Sequence, residues 1–295
     1  MQLQANGITL EVEVDGPADG RPLLLIMGLG MQLTAWPRAL VDDLVARGFR
    51  VVRLDNRDAG LSQGFEALGV PNLAWASVRH WLRLPVRAPY ALAELAADSI
   101  GVLDALGITQ ADVCGVSMGG MVAQHLAATW PQRVRALTLV MTTSGARRLP
   151  GPRPAVQRAL LARPRGKGPE AIVDHLVQLF GLIGSPGYPP EPAALRRELQ
   201  ASVARAWRPT GTARQLVAIV ADADRTPLLR RVSAPAAIVH GADDPLVPVA
   251  AAHDLARSLR AATVDIVPGM GHDLPRPLLP RIADAIEQVA RRAPA

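Results

Sequence analysis

Polar and apolar residues follow two different rhythms along this chain, and the change of rhythm divides it. Residues 8–14, Ile-Thr-Leu-Glu-Val-Glu-Val, alternate with period two, the pattern of a half-exposed strand. Residues 22–27 carry a continuous apolar run, Leu23-Leu24-Leu25-Ile26, that ends at Gly28-Leu29-Gly30. Such a run suits a strand covered on both faces in a parallel sheet. An amphipathic stretch over residues 38–46 stops at Gly48, and residues 49–54 read as the next strand. After a long loop, residues 91–106 have helical spacing. Residues 111–116 read as another buried strand, 118–130 as a helix ending before Pro131, and 134–141 as a strand. Strand and helix in turn at this spacing predict a mostly parallel, doubly wound α/β sheet.

That rhythm breaks over residues 142–228. The stretch is helical in spacing, is interrupted by Pro150, Pro152, Pro154, Pro186, Pro189, Pro190 and Pro192, and holds no buried-strand run. The α/β pattern then resumes with a strand at 236–241, a helix at 249–259, a strand at 262–267 and a helix at 280–291. The expected organisation is a core of residues 1–141 and 229–295, with a helical cap or lid, 142–228, inserted before the last two strands. Lying over the strand ends, such a lid would cover the face where open α/β sheets bind ligands.

Candidate chemistry gathers at the joints between elements. Gly115-Val116-Ser117-Met118-Gly119 fits G-x-S-x-G and sits where a predicted strand meets a predicted helix. A tight turn there lifts the serine hydroxyl above the sheet, and the flanking glycines avoid clashes with the neighbouring strand and helix. A serine hydroxyl is a poor nucleophile at neutral pH and needs a base. Of His80, His125, His175, His240, His253 and His272, only His272, in Gly269-Met270-Gly271-His272, lies on a loop after the last predicted strand. The other five read as ordinary surface or core residues. An acid must hold the base in its working tautomer. Residues 241–248 offer two adjacent carboxylates after the strand at 236–241; Asp244 has the Gly-x-x-Asp-x-x-x-Pro spacing, and Asp243 is the reserve choice. Nucleophile, acid and base then follow one another in the chain order of α/β hydrolases. A developing oxyanion needs two donors, and the backbone N–H groups of Met118 and Leu29 are the candidates.

Residues 25–30 (Leu-Ile-Met-Gly-Leu-Gly), 55–62 (Asp-Asn-Arg-Asp-Ala-Gly-Leu-Ser), 115–124, 241–248 and Gly271-His272 together resemble the α/β-hydrolase superfamily. Within it they are most similar to the aclacinomycin methylesterase-like and 3-oxoadipate enol-lactonase-like serine hydrolases. The resemblance spans nearly the whole chain apart from the lid. It implies a cofactor-free acyl-enzyme mechanism on Ser117, with a small-molecule ester or lactone as substrate. One departure is Met27, which stands where a histidine commonly precedes the first glycine of the oxyanion turn. Carbon–carbon bond hydrolases of ring-cleavage products and cofactor-free perhydrolases resemble the chain at the same motifs and form the alternative. A non-enzymatic receptor on the same fold is the third reading. Dehalogenases and epoxide hydrolases are set aside, because they need a carboxylate at the position of Ser117. The charges of residues 55–62 read as holding a loop near the site. Met27, Met31, Met118, Met121 and Met270 predict an adaptable apolar pocket.

Composition narrows the partners. With 295 residues, 49% hydrophobic, the chain can build a sizeable core. Its net charge is +6, yet of 32 basic residues only Lys167 is lysine. The densest basic stretch, Arg147 to Lys167, has no aromatic residue interleaved to stack on bases, so it reads as solvated surface, with attraction of anionic substrates as the alternative. No apolar run reaches the roughly 18 residues of a membrane span, and residues 1–15 lack a signal-peptide pattern. The single cysteine, Cys114, allows no internal disulfide and points to the cytoplasm. Neither a metal-ligand pattern nor a phosphate-binding loop is present in the sequence. The expected partner is a small molecule, without nucleic acid or membrane, and a homodimer is left open.

Overall fold

The computed structural model describes residues 1–222 and 224–293. Its strands are β1 (Gln2–Ala5), β2 (Ile8–Asp15), β3 (Arg21–Ile26), β4 (Phe49–Leu54), β5 (Ala111–Val116), β6 (Val134–Val140), β7 (Ala236–Gly241) and β8 (Ala262–Val267). They form one sheet in the order β1-β2-β4-β3-β5-β6-β7-β8. The β1–β2 and β2–β4 pairs are antiparallel, and every pair from β4 to β8 is parallel. Six helices lie outside the β6–β7 insertion: α1 (Arg38–Ala46), α2 (Leu73–Trp81), α3 (Leu92–Ala105), α4 (Met118–Thr129) and, late in the chain, the pair that follows β7 and β8. Between β6 and β7 lie α5 (Pro154–Leu161), α6 (Pro169–Ile183), α7 (Pro192–Arg205), α8 (Pro209–Ala221) and α9 (Thr226–Leu229). The late pair is α10 (Ala250–Ser258) and α11 (Leu279–Arg291).

The unbroken apolar run of β3 has a simple cause. Leu24 and Ile26 point into a core shared with α3, α4 and α10, whereas Leu23 and Leu25 point into a second core shared with α1 and α11. Successive side chains of a strand face opposite sides, so a strand covered on both faces must be apolar at every position. All four side chains are fully buried, each contributing about 1.5–3 kcal/mol by the usual transfer scale. At the sheet edge this demand lapses: in β8 only Val267 is buried.

Residues 1–15 read as strand from the start, and one helix escapes the sequence pattern. β1 is four residues long and is recruited by pairing with β2, Leu3 opposite Leu10. In the stretch expected to be a loop, α2 forms behind an Asn72 cap, whose side chain accepts the Trp75 N–H at 2.9 Å. Only Ala76 of α2 is buried, so no apolar stripe marks the helix. The prolines of the inserted segment also act differently from the expectation. Pro154 and Pro192 open α5 and α7, as Pro169 and Pro209 open α6 and α8. In the first turn of a helix the missing N–H is no loss and the fixed φ is already helical. Among the described residues, no helix is long and apolar enough to cross a membrane.

Candidate active site

Four turns meet at the carboxyl ends of the parallel strands: residues 28–32 after β3, Ser117 after β5, residues 242–248 after β7 and residues 268–273 after β8. Ser117 has φ 55° and ψ −119°, a conformation that costs an L-residue about 1–3 kcal/mol. The surroundings enforce it. The Ser117 N–H donates to Val140 O at 3.0 Å, and its carbonyl accepts the Gly120 N–H at 3.0 Å, the Met121 N–H at 3.2 Å and the Thr142 hydroxyl at 2.6 Å. Thr142, just past β6, is a support that nothing in the sequence pattern singles out.

The motif glycines are needed for space. A Cβ on Gly115 would run into the Gly119 carbonyl, and one on Gly119 would fall on the Ile26 carbonyl oxygen. Gly181 in α6 is the contrast, with nothing within 4 Å of such a Cβ. Gly181→Ala is therefore expected to raise the urea midpoint, by up to about 1 kcal/mol of stability. Gly119→Ala is expected to lower it steeply and to remove activity, because backbone rather than a flexible side chain must yield.

His272 bridges the other two predicted residues. Its Nε2 lies 2.9 Å from Ser117 Oγ and its Nδ1 lies 2.7 Å from Asp244 Oδ2. The remaining oxygen of Asp244 accepts the Leu246 and Val247 N–H groups, both at 2.8 Å. Asp244 and His272 are buried, and Ser117 is half-buried. Asp243, the reserve acid, faces away from His272 and accepts the Gly269 N–H at 2.8 Å. It braces the turn that carries the histidine.

His240, read from sequence as an ordinary strand residue, lies directly behind this pair. It is fully buried, its Nε2 donates to Val247 O at 2.8 Å and stands 3.8 Å from Asp244 Oδ2. Among the described residues its Nδ1 has no partner. Burial holds its pKa below the usual histidine value despite the nearby carboxylate, so it serves as a neutral strut for the Asp244 turn.

Gly28 packs against the serine: a Cβ there would be 3.3 Å from Ser117 Cβ and 3.8 Å from Oγ. The next N–H along is that of Leu29. Neither this amide nor that of Met118 has a hydrogen-bond partner among the described residues. One of these amides directly follows Ser117 in the chain, and the other follows the Gly28 that packs against it.

Ser117, Asp244 and His272 thus meet at the ends of β5, β7 and β8, and the alpha/beta hydrolase fold family matches residues 21–275. The chain belongs to the alpha/beta hydrolase fold family. Among its relatives, a rhodomycin D methylesterase of Streptomyces sp. (strain C5) is 27% identical over 293 residues, covering 92% of this chain and 91% of the relative. A 3-oxoadipate enol-lactonase of Acinetobacter baylyi is 28% identical over 269 residues, covering 90% and 87%. The solved enol-lactonase of Burkholderia xenovorans LB400 superposes with a TM-score of 0.73 at 22% identity, over 99% of this chain and all of the other, and shares its fold.

In this α/β hydrolase the segment 55–62 holds its loop as expected, but its reach is longer than the sequence suggests. Arg57 pairs with Asp98 of α3 at 2.7 Å, Asp58 with Arg214 of α8 at 2.7 Å, and Asp55 with Arg205 of α7 at 2.8 Å. The loop thereby bolts the inserted helices to the core. The histidine turn is bolted as well: the His272 N–H donates to Ile183 O at 2.7 Å, and the Gly271 N–H to Ser185 Oγ at 2.8 Å. Arg147 and Arg148 are exposed, as expected of solvated residues, and Arg148 also pairs with the buried Asp254 of α10. Met27, Met118, Met121 and Met270 are packed in the two cores rather than lining an open pocket, and Met31 packs against the second core. Cys114 is buried, and burial raises its thiol pKa far above the ordinary value.

Proposed function

We propose that this α/β hydrolase cleaves carboxylic esters or lactones through an acyl-enzyme on Ser117. The observation that carries the reading is the continuous hydrogen-bonded line Asp244–His272–Ser117, at 2.7 and 2.9 Å. Ser117 Oγ attacks the carbonyl carbon while its proton passes to His272 Nε2, and Asp244 stabilises the imidazolium and fixes the ring. The tetrahedral oxyanion is held by the N–H groups of Met118 and Leu29. On collapse the carbon–oxygen bond to the alkoxy group breaks, and that group leaves with the proton from His272. In a lactone the leaving alcohol stays attached through the ring. Water then repeats the sequence on the acyl-enzyme and regenerates Ser117.

The substrate class is supported by the methylesterase and enol-lactonase relatives, which act at ester and lactone carbonyls as their names state. Residues 142–228 act as the cap, with α6, α7 and α8 bolted over the strand ends. The single buried cysteine supports a cytoplasmic location.

The test is turnover of p-nitrophenyl esters together with labelling by a fluorophosphonate. The expected outcome is hydrolysis and stoichiometric labelling that Ser117→Ala removes. No labelling and no ester turnover by folded protein would overturn the hydrolase reading. Turnover of a vinylogous diketo acid without ester hydrolysis would replace it by carbon–carbon bond cleavage.

A further inference from the structure

The turn that follows β3 is held less by the sheet than by the inserted helices. The Gly30 N–H donates to Gln215 Oε1 of α8 at 2.8 Å, and Gln215 Nε2 donates to Arg57 O at 2.7 Å. Gln215 is fully buried, so both ends of its amide are committed and its orientation is fixed. Thr212, one turn earlier on α8, fills the space beside Gly30: a Cβ on Gly30 would lie 2.6 Å from Thr212 Oγ1 and 2.9 Å from Cγ2. Gly30 itself has φ +66°, which favours glycine on conformational grounds as well. Two residues on, Gln32 Nε2 donates to Ser202 O at 2.7 Å and to Ala206 O at 2.9 Å, at the end of α7. Arg205 completes the grip, donating to Gln32 Oε1 at 2.5 Å and to Asp55 Oδ2 at 2.8 Å.

We infer that Gln215 is a positioning residue for the oxyanion turn, and that the cap helices α7 and α8 set the aim of the Leu29 N–H. The inference rests on the reading of that amide as an oxyanion donor. Leu29 is clamped between two fixed neighbours, Gly28 against Ser117 and Gly30 against Gln215. A displacement of α8 turns the peptide units on either side of Leu29. Hydrogen bonds weaken steeply once the donor angle falls well below linear, so a small rotation of this amide removes much of its stabilisation of the transition state. Ground-state binding of the substrate's acyl and alkoxy groups does not use that amide. The cap therefore acts on the chemical step as well as on access.

Gln215→Leu keeps the size of the side chain and removes both hydrogen bonds. With p-nitrophenyl acetate, kcat is expected to fall about 10- to 100-fold, somewhat less than the 10²–10³-fold typical for outright loss of one donor. KM is expected to change by less than about threefold, the signature of an interaction made only in the transition state. Affinity for a trifluoromethyl ketone, which forms the tetrahedral adduct, is expected to fall in parallel with kcat/KM. Arg205→Met, at a less buried position, releases Gln32 and Asp55 without opening the core and is expected to show the same split; it decides the question if Gln215→Leu does not fold. Unchanged kcat and unchanged ketone affinity in a folded variant would overturn the inference, as would a rise in KM with kcat preserved. The wild-type protein is the internal control. If its Ser117 is not labelled by a fluorophosphonate, the hydrolase reading fails; if it is labelled and the variants keep wild-type kcat, only the role of the cap helices fails.

Discussion

Ser117→Ala is expected to lower kcat by about 10⁵–10⁶-fold, with a folded protein and little change in thermal midpoint, and His272→Ala is expected to match it. The magnitude follows from the geometry: a hydroxyl 2.9 Å from Nε2 of a ring whose Nδ1 is 2.7 Å from a carboxylate is one proton-transfer unit. On the proposed mechanism, removing either end of the serine–histidine contact leaves no activated nucleophile. The double variant is consequently expected to be no worse than either single one, and residual turnover of about 10³–10⁴ over water should remain from the oxyanion donors and binding. Asp244→Asn keeps the shape but presents an amide to Nδ1, and is expected to cost about 10⁴-fold. The Leu246 and Val247 N–H groups continue to hold the remaining side-chain oxygen, so this loss is not a folding effect. Additive losses in the double variant, measured by steady-state kinetics, would show that the two residues act separately and would break the triad assignment.

Arg214→Leu is expected to destabilise the fold by about 3–5 kcal/mol, the usual cost of leaving one member of a buried ion pair without its partner. Both residues are almost fully buried. Asp58 Oδ1 and Oδ2 accept from Arg214 Nη2 and Nε, each at 2.7 Å, while Tyr90 Oη donates to Oδ2 at 2.8 Å and the Phe65 N–H to Oδ1 at 2.9 Å. Burial pushes the Asp58 carboxyl up, but the guanidinium, the amide and the phenol together outweigh it and hold its pKa below the ordinary 3.8. A carboxyl with a depressed folded pKa contributes stability above its unfolded pKa, and this is lost as the pH falls through the folded value. In the Arg214→Leu protein the same burial acts with the main opposing partner gone, so the ionised form is the destabilising one. The difference between the two proteins in urea is therefore expected to be full near neutrality, to begin narrowing as the pH falls through the variant's raised carboxyl pKa above 3.8, and to go on narrowing below 3.8 as the wild-type carboxylate is protonated. A gap independent of pH would mean that lost packing, not the orphaned charge, is responsible. Because Arg214 is the neighbour of Gln215 on α8, loosening of this pair is also expected to lower activity before the protein unfolds.

The sheet was legible because burial on both faces dictates composition locally. The run at Leu23–Ile26 and the strand before Ser117 could not be polar without exposing the cores to water-seeking groups. The serine turn was legible for a similar reason: its glycines are required by atoms of the adjoining strand and helix, a few residues away in sequence or on the neighbouring strand. His272 and Asp244 followed from position, since parallel strands deliver their following turns to one edge. Choosing Asp244 over Asp243 rested on spacing alone, and the structure separates them by direction, one to the imidazole and one to the Gly269 amide. Less legible was α2, whose exposed face needs no apolar stripe.

On its own, then, the amino-acid order determined the α/β alternation, the site of the inserted helices and the identity of the serine, histidine and aspartate that meet. These depend on short-range steric rules and on which faces are covered, and both leave a mark within a dozen residues. Only the tertiary structure decided what holds those groups in place: His240 behind Asp244, Thr142 beneath Ser117, Gln215 on the Gly30 amide, and the ion pairs from residues 55–58 to α7 and α8. Such contacts join positions up to 185 residues apart. A polar residue's need for a partner shows in the sequence, but the partner's identity is set by how the chain returns on itself.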